Sequence, residues 1–398
     1  MSSSSLPKGD RAVIFLHVPK TAGSTLRRIL QRQFEPSATH RLYGNHPEEL
    51  FAQFRTLPES ARLRIRLLLG HFGFGMHRHL ASPFTYVAVT RQPVERVISD
   101  YEYIRNNAGH VFHRRMIEAN LGLREFVECG EWTFNDNAMV RMFAGMLDAP
   151  VGSLDERALE RAKSNIRDHF GLVGLTERFD ETLVLLARRF GWRSVYYERE
   201  NVSANRPDKA AVPEDAVSAI ARANALDIDL HRFVTEHFQR EAEQEGPGFQ
   251  DAVREFGRVN AELKRLIHEA HELIMEQHYQ DALHTLDRAF ALDPEAAVVH
   301  HQRSAACFHL GAVEDALMHA SVALRLDPYD RRVILHCGHL LDSAGRPGRA
   351  QALYRFYLRQ QDPYDAEILG KLDAAEGESG EGLRRLLSSC ARLGAIPS

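Results

Sequence analysis

A short loop near the start of the chain combines the side chains and the backbone pattern of an anion-binding site. The segment 12–30 reads AVIFLHVPKTAGSTLRRIL, an apolar run followed by small polar residues and then by helical spacing. A strand, a small-residue loop and a helix start leave free N–H groups and the positive end of a helix dipole facing one point. Lys20 adds a charge, and Ser24 and Thr25 add hydroxyl donors. An ordinary strand–helix turn capped by Ser or Thr is the alternative interpretation.

A second segment, 84–105, reads FTYVAVTRQPVERVISDYEYIR and repeats the strand-to-helix pattern. Arg91 follows the apolar run, and Pro93 takes an early helix position, where proline is tolerated. Ser99 lies eight residues after Arg91, about two helical turns further on. The pair can hold a second anionic group. Alternatively, Arg91 is a surface residue that pairs with Glu95 four positions later.

Residues 68–80, LLGHFGFGMHRHL, contain three histidines, the side chain best suited to accept a proton from an alcohol near neutral pH. His71 is favoured because it lies among glycines, where the backbone can approach a substrate closely. His77 and His79 are lesser candidates, and a purely structural histidine is the alternative. The sequence has no His/Cys cluster with metal-ligand spacing, so no metal is expected.

The first loop is not a standard nucleotide-binding loop. That pattern, G-x-x-x-x-G-K-[ST], places Lys after the second glycine, whereas here Lys20 precedes Gly23. The arrangement VPKTAGSTL instead resembles the 5′-phosphosulfate loop of carbohydrate sulfotransferases, in particular those related to the heparan sulfate 2-O- and 6-O-sulfotransferases. The resemblance implies 3′-phosphoadenosine-5′-phosphosulfate as the sulfuryl donor.

The resemblance spans about residues 11–240 and implies roles for individual residues. The donor-binding residues it implies are Lys20, Thr21, Ala22, Gly23, Ser24, Thr25, Arg91, Ser99 and, in the late segment NVSANRP, Arg206. Gly70-His71 resembles the family's Gly-His element, which makes His71 the catalytic base, while Lys20 stabilises charge on the leaving phosphate. Acceptor contacts are predicted for His77 and, in the segment DNAMVRMFAG, for Asn137 and Arg141; the latter two could instead brace the site.

Elements of an α/β domain must position these residues. Strands are predicted at 12–17, 84–89, 170–175 and 195–197, and helices at 24–33, 94–106, 136–144, 154–168 and 177–190. Their alternation predicts a parallel sheet sandwiched by helices, and the resemblance implies a P-loop-like sulfotransferase fold.

An internal repeat occupies the C-terminal part of the chain. Asp-Pro pairs recur at 293–294, 327–328 and 362–363, and alanines recur every 34 residues at Ala282, Ala316 and Ala350. Gly311 and Gly345 keep the same step, with Gln277 in the first-repeat position. This spacing resembles the tetratricopeptide repeat, an all-α array. Such an array often binds a protein partner, but it can also mediate self-association or intramolecular packing.

These observations predict the following organisation: a disordered start at 1–10, a sulfotransferase domain at 11–245, a hinge or linker helix at 246–263, three repeats at 264–366, and a capping helix with a tail at 367–398. The 398 residues are enough for two or three domains.

Charge and composition exclude several classes of function. The formal net charge is −4, yet residues 1–110 hold 15 Lys and Arg against 8 Asp and Glu, which favours a small anionic ligand there. No nucleic-acid-binding motif and no apolar run long enough for a transmembrane segment is present. The four cysteines lack CxxC spacing. A reduced, cytoplasmic protein is expected.

The predicted function is transfer of a sulfuryl group to a hydroxyl of a glycan or glycolipid acceptor by in-line displacement. Two alternatives stay open: a catalytically inactive sulfotransferase-fold scaffold, and a nucleotide-dependent kinase of related fold.

Overall fold

A computed structural model describes residues 11–44, 47–198, 212–361 and 365–376. The chain divides into two compact units, Met1–Phe256 and Gly257–Ser398. In the described part of the chain, no helix is both long and apolar enough to cross a bilayer.

A parallel sheet forms the centre of the first unit, as the sequence predicts. Its strands, in the spatial order β2-β3-β1-β4-β5, are all parallel to their neighbours. All five residues of the middle strand are buried, because helices cover both faces of the sheet. The strands are β1 Ala12–Leu16, β2 Thr39–Leu42, β3 Leu67–Gly70, β4 Phe84–Thr90 and β5 Phe170–Leu175.

The strand order creates a crevice at one edge of the sheet. The chain leaves β1 toward β2 on one side, whereas it leaves β4 toward β5 on the other. Because β1 and β4 are neighbours, the loops that follow them diverge at their carboxyl ends. Such a topological switch point is where open α/β sheets bind ligands. The two predicted anion-binding segments are these two loops.

Helices cover the sheet and continue to the end of the first unit. They are α1 Gly23–Gln33, α2 Pro47–Arg55, α3 Glu59–Leu63, α4 Pro93–Asn106, α5 His113–Glu118, α6 Leu123–Glu128, α7 Ala138–Ala144, α8 Glu156–His169, α9 Phe179–Phe190, α10 Glu214–Ala223 and α11 Ala225–Gln244. A further helix, α12, spans Phe249–Met275.

Local sequence explains the two helices that begin beside the crevice. In α1, Leu26, Ile29 and Leu30 recur at helical spacing and are buried. In α4, Pro93 occupies the first turn, and the Gln92 side chain accepts a hydrogen bond of 2.8 Å from the Glu95 N–H. Both helices therefore start immediately after the loops that carry the predicted site.

The structure departs from the predicted strands in two places. Residues 195–197 form no strand, because side-chain contacts hold this segment: the Tyr197 hydroxyl donates to Asp180 at 2.6 Å, and Arg32 donates to the Tyr196 carbonyl. Strands β2 and β3 were not predicted. The sequence of β2, THRL, is mostly polar and lacks the alternation of a typical strand.

The second unit begins within α12 and continues as helices that each pack against the next one in the chain. These helices are α13 Tyr279–Leu292, α14 Ala297–His309, α15 Val313–Leu326, α16 Arg331–Ser343, α17 Pro347–Gln360 and α18 Ala366–Glu376. The repeated alanines Ala282, Ala316 and Ala350 are fully buried. Of the predicted capping helix and tail at 367–398, residues 377–398 lie outside the described residues.

The 34-residue spacing also recurs in backbone conformation. Gln277, Gly311 and Gly345 have φ angles of 65°, 78° and 69°, so the three equivalent turns are left-handed. A helical array is thus established, whereas its assignment to the tetratricopeptide family stays a prediction.

Candidate active site

The loop between β1 and α1 has the backbone of an anion cradle. Lys20 and Ala22 adopt φ angles of 64° and 60°, a left-handed conformation that is uncommon for residues other than glycine. Ala22 is the N-cap of α1, and no side chain caps the first turn of this helix. The N–H groups of Gly23 and Ser24 therefore receive no cap from the N-cap residue and can bind a ligand. The alternative of a turn capped by Ser or Thr does not describe this loop.

Side chains fix the shape of this loop from below. The buried Thr21 hydroxyl donates to the Val18 carbonyl at 2.8 Å, so it supports the loop rather than facing a ligand. Gly23 lies against the imidazole of His17, where an added Cβ would come within 2.2 Å of the ring. By contrast, Ser24 is partly exposed, and its hydroxyl makes no hydrogen bond with the described residues.

Lys20 is held between two side chains of α4. Its ammonium lies 3.7 Å from the centre of the Tyr103 ring, a cation–π contact. Burial lowers the pKa of Lys20 below its ordinary value, and the nearby Asp100 carboxylate opposes this change. Asp100 is itself buried, with Arg96 as its ion-pair partner at 3.3 Å. Lys20 is therefore positioned before any ligand arrives.

Arg91 connects the two predicted loops. Its Nη1 donates to the Lys20 carbonyl at 3.2 Å, and its Nη2 lies 3.5 Å from the Glu95 carboxylate. The pairing with Glu95 considered as an alternative thus exists together with a contact to the anion cradle. Ser99 lies on the same helix, partly exposed and without a hydrogen bond to the described residues.

His71 follows β3 at the same edge of the sheet. Its Nδ1 lies 2.8 Å from the carbonyl oxygen of His17. A carbonyl only accepts, so Nδ1 carries the proton and Nε2 has a free lone pair. Surrounding protein atoms lower the pKa of His71, which favours the neutral ring, although the side chain itself is solvent-exposed. Because the His71 side chain is exposed although many protein atoms surround it, it lies at a concave surface.

Two further aromatic side chains complete the surroundings of His71. The ring of His17 lies 4.4 Å from that of His71, and the ring of Tyr43, which follows β2, lies 5.0 Å away. The His17 Nδ1 and the Tyr43 hydroxyl are 2.7 Å apart. Burial lowers the pKa of His17 well below its usual range and raises the pKa of Tyr43, so both are neutral near pH 7. They form a rigid wall beside the candidate base.

His77 lies at the opposite end of the sheet. Its ring stacks on Phe84, the first residue of β4, at 4.4 Å, and its Nδ1 lies 3.0 Å from the Tyr86 hydroxyl. Lys20 and His71 instead follow the last residues of parallel strands. Burial lowers the pKa of His77 to about 4, and neighbouring cations add to this effect. An aromatic cluster thus accounts for the position of His77, and the predicted acceptor contact by this residue stays a prediction.

Asn137 and Arg141 brace the fold. Arg141 is 1% exposed and bonds to the carbonyls of Asp136 and Pro150, at 2.7 Å and 2.9 Å, and to the Asp136 carboxylate. Asn137 accepts hydrogen bonds from the N–H groups of Leu226 and Asp227, the start of α11. Their polar atoms face buried protein groups, so the bracing interpretation applies rather than the predicted acceptor contact.

The predicted donor-binding residue Arg206 lies outside the described residues. No group of three or more His, Cys, Asp or Glu side chains is arranged to hold a metal within the described ranges.

The structure adds residues that sequence reasoning missed. His17, Tyr43 and Tyr103 contact predicted site residues but were not predicted themselves, although His17 and Tyr103 lie within the two anion-binding segments. A signal existed for His17 and Tyr43, because each directly follows a strand that ends at the crevice edge. For Tyr103 the signal was its helical spacing, four residues after Ser99.

Comparison with known proteins gives a consistent result. Residues 2–285 match the model of the galactose-3-O-sulfotransferase family. Mouse galactose-3-O-sulfotransferase 3 is 29% identical over 258 residues, which cover 59% of this chain and 58% of the mouse protein. Human heparan-sulfate 6-O-sulfotransferase 1 is 24% identical over 277 residues, 58% of this chain and 67% of the human protein.

The chain thus spans about three fifths of the length of the first of these relatives. The predicted resemblance to carbohydrate sulfotransferases is confirmed. Because the family model covers most of the chain, including every described residue of the crevice, this chain belongs to the galactose-3-O-sulfotransferase family.

Proposed function

We propose that this protein transfers a sulfuryl group from 3′-phosphoadenosine-5′-phosphosulfate to a hydroxyl group of a carbohydrate. The observation that carries the proposal is the position of His71: a neutral histidine with a free Nε2 lies at the same sheet edge as the anion cradle at Lys20. A base and an oxyanion site at one crevice are the two requirements of this reaction.

The residues of the crevice fit a donor with several negative charges. The N–H groups of 22–24 and the ammonium of Lys20 bind the 5′-phosphosulfate, while Arg91 and Ser99 bind the 3′-phosphate. Two observations support this assignment: the N-cap Ala22 makes no capping hydrogen bond, and the hydroxyls of Ser24 and Ser99 make none with the described residues. When the donor binds, its 3′-phosphate replaces the Glu95 carboxylate as the ion-pair partner of Arg91.

The transfer step follows from these positions. The acceptor oxygen attacks sulfur, and its proton passes to Nε2 of His71. A new S–O bond forms while the bond between sulfur and the bridging phosphate oxygen breaks, and its electron pair stays on the phosphate. Lys20 and the loop N–H groups stabilise that growing charge. The products are a sulfate ester and adenosine 3′,5′-bisphosphate.

The acceptor class is inferred from the relatives. The matched proteins are named for galactose 3-O- and heparan-sulfate 6-O-sulfation, both of which modify a hydroxyl of a sugar. We extend the same class, a glycan or glycolipid hydroxyl, to this chain. Cytoplasmic localisation stays a prediction.

For the second unit we propose a tetratricopeptide-type array that binds a protein partner or a second copy of the chain. The left-handed turns at 277, 311 and 345 and the buried alanines at the same period support it.

Calorimetric titration tests the donor site directly. Wild type and Lys20→Ala are titrated with adenosine 3′,5′-bisphosphate without metal, and with ADP both without metal and with magnesium. The expected result is selective binding of the bisphosphate, weakened in Lys20→Ala and unchanged in Lys163→Ala, a control on α8 that pairs with Glu160. A preference for ADP with magnesium would overturn the proposal in favour of a kinase.

A further inference from the structure

Among the described residues, no carboxylate pairs with Arg27, a cation beside the candidate base. Arg27 lies on α1, one turn after the anion cradle, and its guanidinium carbon is 5.4 Å from the centre of the Tyr43 ring. Tyr43 in turn contacts both His17 and His71. The proximity of Arg27 also lowers the pKa of each of these three groups. Its positive charge therefore acts on the base itself.

The guanidinium of Arg27 is incompletely satisfied. Its Nε is buried and makes no hydrogen bond, and within the described ranges no carboxylate pairs with Arg27. A buried donor without an acceptor costs about 1–3 kcal/mol. Two other buried arginines of this unit have a carboxylate partner for their Nη atoms: Arg96 pairs with Asp100, and Arg141 pairs with Asp136. A bound anion that is not part of the protein would provide the missing acceptor for Arg27.

The position of Arg27 assigns this anion to the acceptor side of the crevice. The donor lies across β1 and β4, where Lys20 and Arg91 supply the cations. Arg27 instead contacts Tyr43, at the end of β2, and β2 pairs with β3, which leads into His71. Arg27 therefore lies on the side of His71 that faces away from Arg91.

We propose that Arg27 binds a carboxylate or sulfate group of the acceptor sugar, and that this enzyme therefore prefers anionic over neutral carbohydrate acceptors. The inference rests on the proposed function and names its substrate class. A bound anion also neutralises the charge beside His71, so an anionic acceptor strengthens the base that deprotonates it.

Matched acceptors test the preference. The probes are 4-nitrophenyl β-D-galactoside, the corresponding β-D-galacturonide and the 6-sulfated galactoside, together with heparosan and carboxyl-reduced heparosan. Radiolabelled sulfuryl transfer gives kcat and KM, and calorimetry on the bisphosphate complex gives binding even where a sugar does not react. The two anionic galactosides distinguish a carboxylate from a sulfate.

The variants are Arg27→Gln, Arg27→Lys, which keeps the charge, and Arg114→Gln, a control with an 88% exposed side chain. Wild type is expected to favour the anionic sugars, and Arg27→Gln to lose about 10- to 100-fold in kcat/KM for them, mostly through KM. Arg27→Lys is expected to recover part of this loss. With the neutral galactoside, Arg27→Gln is expected to shift the acidic limb of the pH–rate profile to higher pH, because a cation next to His71 is removed.

Three outcomes would overturn the inference while leaving the proposed function intact. They are equal or better use of the neutral sugars, failure of every anionic probe to bind, and a loss of bisphosphate affinity in Arg27→Gln as large as that in Lys20→Ala, which would assign Arg27 to the donor. Absence of bisphosphate binding in the wild type would instead overturn the proposed function, and the inference with it.

Discussion

The backbone carbonyl of His17 holds the proton of His71 on Nδ1, across a distance of 2.8 Å. The two residues directly follow neighbouring parallel strands, β1 and β3, so the sheet itself sets this distance. The contact selects the tautomer whose Nε2 is free, a requirement for a general base. A backbone atom, which no substitution at position 17 removes, thus orients the candidate catalytic group.

Replacement of His71 is therefore expected to abolish proton transfer and leave the donor site intact. His71→Ala should lower kcat by about 10²- to 10⁴-fold, the usual contribution of a general base. The affinity for adenosine 3′,5′-bisphosphate should stay unchanged. Steady-state sulfuryl transfer and calorimetry measure the two effects, and His79→Ala serves as the control. Loss of bisphosphate binding in His71→Ala would contradict the assignment as a base.

The pH dependence of the same reaction has a defined direction. Desolvation by the surrounding protein atoms lowers the pKa of His71 from the ordinary 6.5, so the unprotonated base persists to lower pH than in a free histidine. The acidic limb of kcat/KM should accordingly lie below pH 6.5. A limb above that value would contradict a neutral His71 at the active site.

Much of the proposed donor side could be predicted in its geometry, because its signals in the sequence are local. The apolar run before Lys20 and the proline at position 93 specify where a strand ends and where a helix begins, whatever the rest of the chain does. The parallel alignment of β1 and β4 then brings Lys20 and Arg91 together. Two short sequence segments were therefore sufficient to predict where Lys20 and Arg91 lie.

The acceptor side could not be predicted in the same way, because it depends on a strand that its own sequence does not specify. Strand β2 is mostly polar and is stabilised by pairing with β3. Without β2, nothing places Tyr43 beside His71. The same reasoning explains why His77 lies far from His71: the two residues are close in sequence, but the chain crosses from one end of the sheet to the other between them.

Gly23 is expected to be irreplaceable because of the ring it contacts. A Cβ at this position would lie 2.2 Å from the His17 imidazole, which stacks on Phe15 and is bonded to Tyr43. Neither side can yield, so Gly23→Ala should destabilise the protein by about 1–3 kcal/mol and weaken bisphosphate binding. Urea denaturation and calorimetry measure both effects. Gly248→Ala, where no atom lies within 4 Å, should change neither.

Two helix starts in the first unit cap one another. The Asp227 carboxylate accepts hydrogen bonds from the N–H groups of Met139 and Val140 in α7, at 3.0 Å and 2.7 Å. The Asn137 side chain accepts from the N–H groups at the start of α11. Asp227→Ala leaves two buried donors without an acceptor and should cost about 2–6 kcal/mol of stability, measured by urea denaturation. A change below 1 kcal/mol, as expected of a surface residue, would contradict this role.

Burial makes the contribution of Asp227 dependent on pH. Desolvation raises the pKa of its carboxyl group from 3.8 to about 6 in the folded protein. The folded state thus binds this proton more tightly than the unfolded state, and the resulting stability is lost as the pH rises from about 4 to 6. Denaturation midpoints at pH 5 and pH 7.5 should therefore differ more in wild type than in Asp227→Asn, which does not titrate. An equal difference in both proteins would contradict the raised pKa.

Two glycines of the helical unit predict substitution effects of opposite sign. Gly338 on α16 lies against Tyr354 on α17, and an added Cβ would come within 2.1 Å of the hydroxyl of that 1% exposed side chain. Gly338→Ala should therefore separate the two helices and lower stability by about 1–3 kcal/mol. Gly348, in the first turn of α17, has no atom within 4 Å of the added carbon, so Gly348→Ala should raise stability by up to about 1 kcal/mol through helix propensity alone. Limited proteolysis of α16 and α17 measures their packing in both variants, and urea denaturation measures the stability. Equal protease resistance in Gly338→Ala and Gly348→Ala would mean that the close approach of Gly338 to Tyr354 does not determine the packing of these helices.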